Sequence, residues 1–145
     1  MLIGVAPCIS PELLYALDRM GHGDEIVLAD AFFPGDSFNA RVIRADGIRV
    51  PALLNGILSL MNLDSYDAAP AVMMAPASGD ELDKSVEASY RAVIDKYWPK
   101  TPPIARIERF AFYERTKKCF AVVMTGETVK YGNIILKKGV TPFGK

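Results

Sequence analysis

Short, unbroken apolar runs constrain this chain more than any other feature. Ile26-Val27-Leu28-Ala29 is bounded by Gly23-Asp24-Glu25 and Asp30, and it is the kind of run that forms a strand buried on both faces. Ala71-Val72-Met73-Met74-Ala75 and residues 119–124 read as strands in the same way. Between them lie stretches of helical period. Leu13, Leu14, Leu17 and Met20 follow Ser10-Pro11-Glu12, where Ser10 can cap a helix and Pro11 fits its first turn. Gly21 suits the left-handed residue that closes it. Pro51 opens a second helix with Leu53, Leu54, Ile57, Leu58 and Met61 on its buried face. Ser78-Gly79-Asp80 precedes a third, striped by Leu82, Val86, Val93 and Tyr97 and limited by Pro99. Helices alternating with short apolar strands predict an α/β layer fold with an antiparallel element near the C-terminus.

The segments between are less regular. Residues 31–39 read as a loop turning at Pro34-Gly35-Asp36, and residues 41–50 as a short strand broken at Asp46-Gly47. Residues 104–108 fit a strand. Residues 109–118 fit a helix, although their aromatic content also suits a strand. Gly126-Glu127 reads as a turn, and residues 128–137 as one or two strands with Gly132 marking a bulge or a close approach. Lys100-Thr101-Pro102-Pro103 is too short to divide domains, so residues 1–145 are expected to form one.

Charge and composition narrow the function. Lys plus Arg number 17 and Asp plus Glu 17, so no net basic charge draws the chain to nucleic acid. Cys8 and Cys119 lie in unrelated contexts and read as reduced thiols rather than a disulfide scaffold. The first residues lack the basic start of a signal peptide, and the apolar stretch at 53–63 is too broken to span a bilayer. The expected place is the cytoplasm. One histidine and two distant cysteines offer no metal set, and no glycine-rich loop offers a phosphate cradle.

Few residues remain that could do chemistry. His22, the one histidine, sits in Gly21-His22-Gly23-Asp24; it is either a surface turn residue or an uncrowded group for proton transfer near neutral pH. Asp30 ends an apolar strand, where α/β sheets bind ligands; it either caps the next loop or grips hydroxyls. Arg109 and Tyr113, four apart, share a helix face and would offer a donor fork and an aromatic plate, or else a salt bridge and a core ring. Tyr131-Gly132-Asn133 would put two polar side chains on one strand face beside a glycine, or form a strand-edge turn.

The order and spacing of several motifs resemble the L-fucose mutarotase family, related to the ribose pyranases. They are Ser10-Pro11-Glu12-Leu13-Leu14, the run from Met20 to Ile26, Ala29-Asp30-Ala31, Ile43-Arg44-Ala45-Asp46-Gly47, the run from Arg109 to Arg115, Thr125-Gly126-Glu127 and the run from Tyr131 to Val140. The resemblance implies a three-layer α/β/α subunit with a mixed sheet and a ring-shaped homo-oligomer, often a decamer, with sites completed across subunit contacts. It implies a proton-shuttling His22 and sugar-binding roles for Asp30, Arg109, Tyr131, Gly132 and Asn133.

The chemistry so implied needs no cofactor. Ring opening removes the anomeric O–H proton and protonates the ring oxygen; C1–C2 rotation and reclosure give the other anomer of a free monosaccharide. His22 is expected as the main acid–base group and Tyr131 as the second proton carrier. Asp30 would orient His22 or bind a hydroxyl, while Arg109 and Asn133, with Tyr113 beside them, would fix the sugar. Rival readings are a ribose pyranase, a sugar-binding module without catalysis, and a structural ring.

Overall fold

The apolar runs become the middle of one six-stranded sheet. The computed structural model describes residues 1–143. The inner strands are β1 (Glu25–Ala29), β3 (Ala71–Met74), β5 (Ala121–Thr125) and β6 (Ile134–Lys137), and the edges are β2 (Val42–Ala45) and β4 (Ala105–Ile107). Their order is β2-β5-β1-β6-β3-β4. β6 runs antiparallel to both neighbours, pairing Val27 with Ile135 on one side and Val72 with Ile135 on the other. β1 and β2 lie parallel to β5, and β3 lies parallel to β4, so the five other strands all point one way. The sheet is therefore mixed, with the expected antiparallel element placed at its centre.

Alternation along each inner strand supplies two cores. On one face, Ile26, Leu28, Met73, Val123, Ile134 and Leu136 pack against α1 (Pro11–Arg19), α3 (Val50–Leu58) and α4 (Lys84–Tyr97). On the other, Val27, Ala29, Val72, Val122 and Ile135 pack with Phe33, just before the single-turn helix α2 (Gly35–Phe38), and with Phe112 of α5 (Arg109–Lys118). The result is the expected three-layer α/β/α arrangement. Both faces of β1 are covered, which is why its sequence is continuously apolar rather than alternating.

Local chemistry sets the helix ends. Ser10 Oγ accepts the Leu13 N–H at 3.2 Å, and Pro11 occupies the first turn of α1. The helix closes earlier than Gly21: Met20 is extended, and the left-handed residue is Gly23, with φ +87°. The aspartate at 24 makes the difference, because its Oδ2 accepts the Gly21 N–H at 2.8 Å and draws residues 21–24 into a turn of their own. α3 begins at Val50, one residue before Pro51. The 31–39 segment is not wholly loop, since α2 lies within it. α4 starts at Lys84 and leaves Leu82 outside, because Asp83 rather than Ser78 or Asp80 caps it, accepting the Ser85 N–H at 3.0 Å. Residues 109–118 are helical, with Glu108 accepting the N–H groups of Phe110 and Ala111 at 2.9 and 3.1 Å. Of residues 128–137, only Ile134–Lys137 form a strand.

Candidate active site

Five parallel strands give the sheet one carboxyl edge, where α/β folds hold ligands. Asp30 follows β1 at that edge and is buried. Its N–H donates to Asn133 Oδ1 at 2.7 Å, and its own Oδ1 accepts the Phe32 N–H at 2.9 Å. Because β6 is reversed, Asn133, the residue just before it, lies at the same edge as the end of β1. Burial pushes the Asp30 carboxyl above its ordinary range, against the opposing pull of the Phe32 N–H and Asn133.

Tyr131 and Asn133 do not share a strand face. Tyr131 takes a left-handed backbone, φ +58°, and the chain turns between them. Its hydroxyl donates to Asp80 Oδ2 at 2.7 Å and accepts the Ala77 N–H at 3.1 Å. Gly132 is a close approach rather than a bulge. A Cβ there would meet Val129 O at 3.0 Å and Tyr90 Oη at 3.1 Å. Tyr90, from α4, donates to the Gly132 carbonyl at 2.8 Å. The preceding turn is held by Glu127, a buried carboxylate that meets Arg49 Nη2 at 2.6 Å and accepts the Thr128 and Val129 N–H groups at 3.0 and 3.3 Å. Burial pushes Glu127 up, but Arg49 and these N–H donors outweigh it and hold the carboxyl below its ordinary range.

Arg109 opens α5 directly after β4, at the same carboxyl edge. Its guanidinium lies over the Phe110 ring, 4.7 Å from the centroid. Tyr113, one turn on, stacks on Phe38 with centroids 4.7 Å apart and meets Phe33 edge-on at 5.6 Å. Tyr113 is thus mostly a packing ring, half-buried against the segment that follows Asp30.

His22 lies elsewhere. It precedes β1, while Asp30 follows it, and a five-residue strand spans about 17 Å. Within one chain Asp30 therefore cannot orient the imidazole, contrary to one of its two expected roles. The group facing His22 is Asp64, with Oδ1 3.2 Å from Nε2; its side chain is 8% exposed against 46% for His22. Asp64 also accepts the Tyr66 N–H at 3.0 Å, and the Tyr66 ring stands 5.7 Å from the imidazole.

Sequence reading missed Asp64, Tyr90, Glu127 and Arg49. Only Glu127 carried a local sign, an acid in a Gly126 turn. A groove of about 930 Å³ between α1 and β2 is lined by Tyr15, Arg19, Arg41 and Phe120 and holds none of the candidate residues. Among the described residues no three His, Cys, Asp or Glu side chains converge to hold a metal ion, and no helix is long and apolar enough to cross a membrane.

The model of the RbsD / FucU transport protein family matches residues 3–141. The chain belongs to that family. Among its RbsD / FucU relatives is a protein of Actinobacillus pleuropneumoniae named L-fucose mutarotase, 58% identical over 142 residues, 98% of this chain and 99% of the relative. The crystal structure of the fucose mutarotase of Streptococcus pneumoniae in complex with L-fucose is 48% identical, covers 97% of this chain and 100% of that one, and gives a TM-score of 0.92. The structure of Bacillus subtilis RbsD complexed with D-ribose shares 21% identity over 98% of this chain and all of that one, with a TM-score of 0.74, a likeness of fold.

Proposed function

We propose that this chain is a mutarotase that interconverts the α and β anomers of free L-fucose. Near full-length kinship with proteins named L-fucose mutarotase carries the reading, and the polar cluster at the carboxyl edge is chemically suited to it. Residues 1–145 act in this reading as one sugar mutarotase domain. The Asp30 carboxyl, held beside Asn133, grips a sugar hydroxyl, with Arg109 and the backbone at Gly132 fixing the ring. Tyr131 carries one proton. His22 exchanges the other with the ring oxygen as it leaves and returns to C1, while Tyr113 keeps the Asp30 side of the site in shape.

One geometric fact supports a shared site. His22 and Asp30 lie at opposite ends of β1, so a single sugar cannot touch both within one chain. His22 of one subunit completes the carboxyl-edge cluster of its neighbour, in a closed cytoplasmic homo-oligomer, a decameric ring. Light scattering then reports about ten times the 15.9 kDa of one chain.

The test is exchange NMR on L-fucose, D-ribose and D-galactose at catalytic protein levels. Faster anomer exchange of L-fucose than in buffer is expected. Unchanged rates for every sugar leave only a binding module, and a preference for D-ribose ring forms makes the chain a pyranase. Mixing the His22→Gln and Asp30→Asn variants after dissociation tests the sharing. Random reassembly restores about a quarter of the sites, because each site draws the two residues from different subunits. No recovery on mixing refutes a shared site.

A further inference from the structure

Tyr131 is the sole non-glycine residue with positive φ among the described residues. That backbone disfavours a residue with a Cβ, and it persists only where the surroundings over-determine it. The surroundings here include the segment between β3 and α4. Ala77 donates its N–H to Tyr131 Oη at 3.1 Å, and Tyr131 Oη donates to Asp80 Oδ2 at 2.7 Å. Asp80 is itself held. Its Oδ1 accepts the Glu81 N–H at 3.0 Å, and Lys130 Nζ stands 3.5 Å from Oδ2. The Tyr131 hydroxyl and the Glu81 N–H keep the Asp80 carboxyl below its ordinary range, so it is an ionised acceptor at neutral pH.

A phenol hydroxyl has one proton to donate and two lone pairs. At Tyr131 the proton is committed to Asp80 and one lone pair to Ala77. One lone pair is left, so an arriving sugar hydroxyl can only donate to this oxygen. A neutral phenol can then take the anomeric proton only as it releases its own.

We propose that Asp80 is a positioning residue for the mutarotation: it fixes Tyr131 as an acceptor toward the anomeric hydroxyl and receives the proton Tyr131 gives up. The inference rests on the mutarotase reading and on Tyr131 as its second proton carrier. The step balances. The anomeric proton passes to Tyr131 Oη as the Tyr131 proton passes to Asp80 Oδ2. An O1 lone pair forms the C1=O bond, the C1–O5 pair stays on O5, and O5 takes a proton from protonated His22. Ring closure on the other face returns every proton. Asp80 acts only through Tyr131 and touches no sugar atom.

The test measures kcat and KM for L-fucose exchange in the intact oligomer with Asp80→Ala, Asp80→Asn, Tyr131→Phe and the Tyr131→Phe/Asp80→Ala double variant. Asp80 is on a surface segment, and thermal unfolding checks that each variant folds. Tyr131→Phe is expected to slow exchange about 100-fold, the lower range for a lost acid–base group. Asp80→Ala is expected to lower kcat about 10-fold with KM within about twofold, because the phenol remains and only its orientation and proton acceptor are lost. Asp80→Asn keeps an acceptor oxygen and recovers part of that loss. In the Tyr131→Phe background, Asp80→Ala changes nothing further. Normal kcat in Asp80→Ala beside a slowed Tyr131→Phe overturns the proposal. So does equal slowing in both backgrounds, which marks a merely structural segment. Full exchange in Tyr131→Phe overturns the Tyr131 reading and Asp80 with it, while no L-fucose exchange in the unaltered protein overturns the mutarotase reading itself.

Discussion

Replacing Tyr90 by phenylalanine tests how the site is held from below. Tyr90 is 1% exposed, and its hydroxyl crosses the core from α4 to the Gly132 carbonyl at 2.8 Å. Burial first, and then the Glu127 and Asp30 carboxylates, push the phenol far above its ordinary range, so it stays a donor at any working pH. Phenylalanine keeps the ring and leaves no cavity the size of a side chain. The change removes one hydrogen bond and leaves a buried carbonyl without its donor, a loss of about 1–3 kcal/mol. At about 2 kcal/mol per molar urea, the unfolding midpoint falls by roughly 0.5–1.5 M. In a chain of this size Tm falls about 2–4 °C per kcal/mol. Both are read by far-UV circular dichroism at fixed protein concentration, since an oligomer's midpoint depends on it. Gly132 separates Tyr131 from Asn133, so KM for L-fucose should rise as well. Tyr90→Leu adds a cavity and should cost more, about 2–5 kcal/mol. If Tyr90→Phe leaves the urea midpoint and KM unchanged while Tyr90→Leu destabilises, the hydroxyl holds nothing and only the ring matters.

Three further outcomes are expected. Asp30→Asn should stabilise the fold at pH 7 while abolishing most exchange. The raised carboxyl of Asp30 makes its ionised form unfavourable when folded, so the variant's advantage is full above that folded value and vanishes as pH falls through it; thermal scans from pH 7 to about pH 3 read this, and a constant advantage refutes it. Gly132→Ala should destabilise by about 1–3 kcal/mol in urea titrations, because its methyl presses on Val129 O and Tyr90 Oη; a neutral result would show that the turn yields freely. His22→Gln should keep L-fucose binding, measured by calorimetry, and slow exchange by at least ~100-fold; near-normal exchange would move the acid–base work to carboxylates, Asp30 and Asp24 first.

Much of this molecule is legible in the sequence. The runs at 26–29 and 71–74 are strands, each burying four successive apolar residues in a sheet covered on both faces. Ser10 and Pro11 mark a helix start whose chemistry lies within four residues. What failed to show was non-local or contested. Asp83 wins the α4 cap over Ser78 and Asp80, three acceptors of similar kind within six positions. Tyr131 takes a left-handed turn with its hydroxyl held by Asp80 and Ala77, and no local pattern predicts that of a tyrosine. Asp64 reaches His22, and Tyr90 reaches Gly132, each across 42 residues. The expectation that Asp30 orients His22 overlooked the strand between them, which sends the two to opposite ends of the sheet.

The reversed strand at the sheet's centre bears on how the chain comes together. β6 is the last of the described strands to be synthesised, and it fills the slot between β1 and β3. Until it arrives those two strands present bare, apolar, unpaired edges, the surface on which unfinished copies stick to one another. Its pairings join residues as far apart as Val27 and Ile135, contacts that form slowly because so much chain must be gathered first. The middle of the sheet can therefore close only once its C-terminal strand is in place. A deletion reaching Ile134 would not trim an edge; it would draw out the seam that joins the two halves of the sheet.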